Sequence, residues 1–164
     1  DKFESIKRLH LQYDYLAKAR DLFLMQCYTG LAYSDLMAFD FTKCKQADGK
    51  YYYHAKRVKT DTDFTFQLLA GAVSVLKKYN FKLPCISNQK YNEYLKVIGM
   101  MVNVPNLHSH MGRATAATLF LSFGMPLNVV AKVLGHTNIR QTQRYARTLN
   151  KDVYSAFDNI DGKF

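Results

Sequence analysis

At 164 residues and 48% hydrophobic content the chain is long enough for one domain with a single core of ordinary size, and nothing in it asks for a second. Lysine and arginine total 23 against 13 acids, and this net charge of +10 is scattered rather than gathered in a tail, so a folded basic surface and a polyanionic partner are expected. Three widely spaced cysteines with no Cys-x-x-Cys pair argue against a disulfide framework or a zinc ribbon, and the absence of a long apolar run argues against a membrane span or secretory leader, which leaves reduced, mostly buried thiols in a cytoplasmic setting.

Residues 14–28 place Leu16, Ala19, Leu22, Phe23 and Cys27 on one helical face, with Asp14 as N-cap and Gly30 as the stop. Leu31 to Met37 reads as a tight turn into a short helix that begins near Tyr33 or Ser34. From Phe41 onward the rhythm becomes alternation. Residues 41–44, 51–54 and 64–67, separated by Ala47-Asp48-Gly49 and Lys59-Thr60-Asp61, predict a small three-stranded antiparallel sheet. Helices are expected at about 70–79, 88–101, 107–123, 126–134, 138–146 and 150–158, punctuated by Pro84, Pro105, Gly124, Pro126 and Gly135. The fold class is therefore α+β and mainly α-helical, without internal repeats. At helical spacing Met100, Met101, Met111 and Met125 are expected to fill the core. Strand alternation sends at least one ring of Tyr51-Tyr52-Tyr53 inward.

The groups suited to chemistry lie in the second half. His110 and Arg113 are three residues apart, so on a helix they share a face and one anion is within reach of both. A guanidinium stays charged and offers a fork of donors matched to phosphate oxygens, while an imidazole donates or accepts near neutrality. Leu134-Gly135-His136 ends one helix at a glycine and sets a second imidazole in the turn. Tyr145 follows nine residues after His136, with Arg144 beside it, and a phenol is a workable nucleophile for phosphorus when cations stabilise its anion. Upstream, Arg57 and Lys59 sit near the turn between the second and third strands. Two apart in an extended backbone, they would point to the same side of the sheet.

These residues, in this order, resemble the catalytic domain of the tyrosine recombinase or phage integrase family. The likeness runs from about Ala19 to Tyr145: Thr29-Gly30-Leu31 with Asp35, a lysine in a β-hairpin, His-x-x-Arg, Leu-Gly-His and a final tyrosine. The wording Leu134-Gly135-His136-Thr137-Asn138 and Thr142-Gln143-Arg144-Tyr145-Ala146 is most similar to integrases of bacterial conjugative and other mobile elements. The resemblance implies the tyrosine recombinase catalytic-domain fold over 1–164 and double-stranded DNA as partner. It implies cleavage and rejoining through a 3′-phosphotyrosine and a Holliday junction, with no metal or other cofactor. Tyr145 would be the nucleophile and Lys59 the general acid for the departing 5′-hydroxyl. Arg113 and His136 would hold phosphate oxygens, His110 would assist proton transfer, and Asp35 would orient the site.

Two positions depart from the family pattern. Where an arginine usually stands in Thr-Gly-Leu-Arg, this chain has Ala32, and loss of one such clamp costs on the order of 10²–10³ in rate unless another group replaces it. Arg57, or less favourably Arg20, is the expected substitute. The other departure is Ala114, where histidine often follows the arginine. The rival readings are a catalytically impaired DNA-binding module of the same fold and a type IB topoisomerase. The family's N-terminal DNA-clamping domain is missing, so a fragment of a longer protein is expected. The segment around Val153 and Phe157 resembles the one that family members dock on a neighbour, implying a tetramer on DNA and a monomer when isolated.

Overall fold

The computed structural model describes residues 1–146 and 150–163. It opens with α1 (Lys2–Arg8), which the sequence reading did not anticipate and whose first turn is capped by the Asp1 carboxylate accepting the Phe3 N–H at 3.0 Å. α2 (Asp14–Thr29) then runs to Gly30, whose left-handed φ of 75° ends it as expected. Its start differs in detail. Asp14 is the first helical residue rather than the cap, and its carboxylate pairs instead with Lys18 at 2.9 Å. From Asp21 to Cys27 every residue of α2 is buried, polar ones included, so this helix is enclosed on all sides rather than along one stripe. After α3 (Tyr33–Met37) comes the sheet, with strands β1 (Lys45–Ala47), β2 (Lys50–Lys56) and β3 (Asp63–Gln67) in antiparallel order β1-β2-β3.

The expected strand at 41–44 is instead a 3-10 turn, Phe41–Lys43. Asp40 accounts for it: its carboxylate accepts the Thr42 N–H at 3.0 Å and the Thr42 hydroxyl at 2.6 Å, which winds the chain before it can extend. Ala47 belongs to the strand, paired with Lys50, so the hairpin turn shrinks to Asp48-Gly49 with positive φ at both residues, 53° and 73°. β2 alternates as predicted, with Tyr53 buried and Tyr52 exposed.

Helices α4 (Ala70–Lys78), α5 (Asn88–Met101), α6 (Ser109–Ser122), α7 (Leu127–Leu134), α8 (Arg140–Gln143) and α9 (Asn150–Ile160) complete the order. α8 is far shorter than the expected 138–146. The main core runs from α2 through β2, β3, α4 and α5, with Leu22, Leu76, Tyr91, Leu95 and Ile98 fully enclosed. A second, smaller cluster of Ala117, Val130 and Leu134 joins α6 to α7. Met100 and Met101 are 71% and 53% exposed, against the core role expected of them, because the buried face of α5 is set by Tyr91, Leu95, Ile98 and Gly99 and the two methionines fall on the opposite side. Of the cysteines only Cys27 is buried; Cys44 is half-buried and Cys85 exposed. Among the described residues no helix is long and apolar enough to cross a membrane.

Candidate active site

The site forms where the ends of α2 and α7 meet. A Cβ at Gly30 would lie 2.6 Å from Leu134 Cδ2, so only glycine lets the two helix ends close together, and its left-handed φ demands glycine as well. Arg113, buried in α6, fills the gap between their carbonyls. Nη1 donates to the Gly30 oxygen at 2.6 Å and Nη2 to the Leu134 oxygen at 2.7 Å. Two carbonyls at fixed positions thus orient the guanidinium, and each terminal nitrogen keeps a second N–H. Burial, and then the charge of Arg57, pull its pKa down to about 10, while Asp35 and Tyr145 act in the opposite direction.

The α6 start is positioned by a buried polar cluster. Gln26 of α2 donates to the Leu31 carbonyl at 3.0 Å and to the Ser109 hydroxyl at 2.9 Å, while its own oxygen accepts from the Tyr91 hydroxyl at 2.7 Å. A Cβ at Gly112 would come within 2.8 Å of Gln26 Cβ, so the glycine of His-Met-Gly-Arg lets α6 approach α2 closely.

Asp35 and Arg57 form the opposite wall. The Asp35 carboxylate is buried and accepts the Val58 N–H at 2.8 Å and Arg57 Nε at 3.5 Å. It thereby holds the β2–β3 turn, which the Asp61 N–H closes on the Arg57 carbonyl at 2.8 Å. The Arg57 stem then lies over Gly135, where a Cβ would meet Arg57 Cδ at 2.8 Å. Gly30, Asp35, Arg57, Phe64, Arg113 and Leu134 line one narrow crevice. Arg57 is therefore in the site, though not for the reason of strand parity: β2 ends at Lys56, and the turn, not the strand, carries Arg57 and Lys59. Arg20 is elsewhere, bonded to Asp21 at 2.6 Å and to the Leu9 carbonyl at 2.7 Å.

His136 follows Gly135, whose left-handed φ of 69° ends α7. Its Nδ1 lies 2.6 Å from Thr142 Oγ1. Burial, then Arg113, Arg57 and Arg144, push its pKa down to about 4, so the ring is neutral at neutral pH. His110 is more exposed, and it too is held below the ordinary imidazole value, by partial burial and then by Arg144, Arg113, His108 and Arg57. Tyr145 is half-buried against the small cluster of Ala117, Val130 and Leu134, with the Arg144 guanidinium 4.9 Å from its ring centroid. Lys59 is exposed on the hairpin turn, and among the described residues no side-chain hydrogen bond or ion pair links it to the others.

The fold thus gathers Asp35, Arg57, Arg113, His136 and Tyr145, keeps His110 within electrostatic range, and leaves Lys59 at the rim. The charges of Arg57, Arg113 and Arg144 all bear on His136, and Asp35 is the carboxylate that acts on Arg113, an arrangement short of negative charge and suited to an anion. Among the described residues no group of three or more His, Cys, Asp or Glu side chains offers a metal-ligand set. The sequence reading left Thr142 and Arg144 as mere flanks of Tyr145. Thr142 lies in α8 and Tyr145 in the turn just beyond it, where the Tyr145 N–H donates to the Thr142 carbonyl at 3.0 Å.

Solved structures of similar fold carry the comparison further. The XerH site-specific recombinase bound to its difH substrate matches with a TM-score of 0.72 at 20% identity, over 94% of this chain and 50% of that one. The Tn1549 transposon integrase in complex with circular intermediate DNA matches with a TM-score of 0.67 at 14% identity, over 97% and 64%. A lambda integrase dimer bound to a COC′ core site gives 0.62 at 14% identity, over 88% and 55%. The chain spans about half to two thirds of the length of these relatives. No curated protein matches it in sequence. The phage integrase family model matches residues 5–152, nearly all of the chain and every residue of the site, and the chain belongs to the phage integrase family.

Proposed function

We propose that this chain is the catalytic domain of a site-specific recombinase that breaks and rejoins double-stranded DNA. The observation that carries the reading is that Arg57 and Arg113 line one crevice and both bear on His136, with Tyr145 packed on the Leu134 side of it. The XerH and Tn1549 relatives were captured on DNA, and the same substrate suits a site of excess positive charge.

In the reaction Tyr145 Oη attacks the scissile phosphorus, its proton leaving toward His110. The bond from phosphorus to the 5′-oxygen breaks as Lys59, brought in by the hairpin, protonates that oxygen. Arg113 and the neutral His136 donate to the non-bridging oxygens as charge builds. The 3′-phosphotyrosine keeps the energy of the broken diester, so a 5′-hydroxyl from a second strand reverses the step and rejoins the chain without ATP, leading to a Holliday junction. Asp35 holds the hairpin turn in place. Arg57 supplies the guanidinium that Ala32 does not, reaching the site across Gly135. On α9 the exposed Val153, Tyr154, Phe157 and Ile160 form the stripe that docks on a neighbouring protomer in a tetramer on DNA.

A nicked suicide substrate tests the reading. Wild-type protein forms a covalent adduct that Tyr145→Phe cannot form while it still binds DNA, and binding without any wild-type adduct would instead support a module disabled at Ala32. Arg57→Ala slows adduct formation by about 10²–10³, the loss of one transition-state donor. Ala32→Arg in the Arg57→Ala background restores part of it. An unchanged rate in Arg57→Ala removes this arginine from the mechanism.

A further inference from the structure

His136 precedes α8 in the chain and Tyr145 follows it, and one residue touches both. Thr142 is fully buried, at 0% exposure. Its hydroxyl oxygen lies 2.6 Å from His136 Nδ1, and its carbonyl accepts the Tyr145 N–H at 3.0 Å. The residue therefore registers the imidazole against the turn that carries the proposed nucleophile.

The direction of the side-chain bond follows from the one proton the hydroxyl has to give. A buried O–H without an acceptor costs about 1–3 kcal/mol. Helical threonines usually satisfy it on the carbonyl three or four residues back. Two others in this chain do so: Thr29 donates to Met25 at 2.6 Å and Thr115 to Met111 at 2.7 Å. Thr142 does not, and among the described hydrogen bonds the partner of its hydroxyl is the His136 ring. The proton accordingly goes to Nδ1, which must carry the lone pair, and the ring proton sits on Nε2.

We propose that Thr142 is a positioning residue whose buried hydroxyl donates to Nδ1 of His136, fixing the neutral tautomer that presents Nε2–H as a donor to a non-bridging phosphate oxygen. The role rests on the recombinase reading above. Its value lies in the crowd of cations around the ring. Burial, then the charges of Arg113, Arg57 and Arg144, keep the imidazole from gaining a second proton, so it can donate toward the phosphate only if its single proton is on the outward nitrogen. The other tautomer would turn a lone pair toward an anionic oxygen.

Imidazole 15N chemical shifts of the labelled chain at neutral pH, without DNA, read the tautomer directly. For His136 the expected pattern is a protonated Nε2 and an unprotonated Nδ1, retained in Thr142→Ser and lost to a mixture or to Nδ1–H in Thr142→Val. With the suicide substrate, Thr142→Val slows adduct formation by on the order of tenfold, less than outright loss of a donor, while leaving DNA affinity in place, and Thr142→Ser restores the rate. A wild-type Nδ1–H tautomer overturns the proposal, as does a Thr142→Val protein that keeps both tautomer and rate, or a Thr142→Ser protein that restores neither. If Thr142→Val does not fold, the wild-type spectrum and Thr142→Ser still decide. Should the wild type form no adduct, the recombinase reading fails while the spectra still settle the tautomer.

Discussion

Leu22, Tyr91, Leu95 and Ile98 lie fully enclosed in the larger core, whereas Tyr145 rests half-buried on a cluster of three small or medium side chains, Ala117, Val130 and Leu134. The two regions differ in what a local opening costs. Releasing the stretch of α2 from Asp21 to Cys27 exposes residues buried on every side, while freeing the Tyr145 segment uncovers little apolar surface. Arg113 is the joint between them, with one terminal nitrogen on the Gly30 carbonyl and the other on the Leu134 carbonyl. A fixed guanidinium is thus set on the border between a stable body and the loosely seated tyrosine that we propose as nucleophile. Such a division suits the proposed reaction, in which the tyrosine advances on a phosphate already held.

Breaking the joint is the strongest test of this contrast. Arg113→Ala leaves two buried carbonyls without their charged donor, and urea unfolding is expected to show a loss of roughly 3–6 kcal/mol, from about 1.5–3 for each bond to a charged group. Cavities separate the two regions next. Leu22→Ala should cost about 2–5 kcal/mol and shift every unfolding probe together, whereas Val130→Ala costs about 1–2 kcal/mol and chiefly accelerates amide exchange over residues 127–146.

Acid acts on the border itself. The folded pKa of His136, about 4, lies below the ordinary imidazole value of 6.5, so the unfolded chain binds the extra proton first. Stability from this group is present above about pH 6.5 and is lost progressively down to about pH 4, by up to about 3 kcal/mol. Urea midpoints compared between pH 7 and pH 4.5 measure it, and His136→Asn should flatten that part of the profile. Gly135→Ala should cost about 1–3 kcal/mol, because a side chain there both strains a φ of 69° and displaces the Arg57 stem. Its cleavage rate should fall toward that of Arg57→Ala if Arg57 acts as proposed.

Much of the framework was legible locally. The α2 face, the Gly30 and Gly135 stops, the hairpin of β2 and β3 and the α5 boundaries follow from periodicity and left-handed caps, which depend on near neighbours along the chain. Errors arose where a side chain overrode propensity, as when Asp40 wound 41–43 into a 3-10 turn. They also arose where periodicity could not say which face meets the core, as at Met100 and Met101.

The sequence by itself determined the family, because Thr-Gly-Leu with Asp35, His-x-x-Arg, Leu-Gly-His and the tyrosine agree jointly in order and spacing. It also determined that an arginine is missing at Ala32 and that Arg57 was the first candidate to replace it. Only the tertiary structure decided that Arg57 lies in the crevice and Arg20 does not, since that depends on Asp35 gripping a turn 23 residues away through the Val58 N–H. It alone decided that Arg113 is held by two carbonyls and that Thr142 meets His136. Spacing rules order the side chains of one element, but distances between elements are set by how closely α2, α6 and α7 pack, and that closeness is fixed by contacts among residues far apart in the chain.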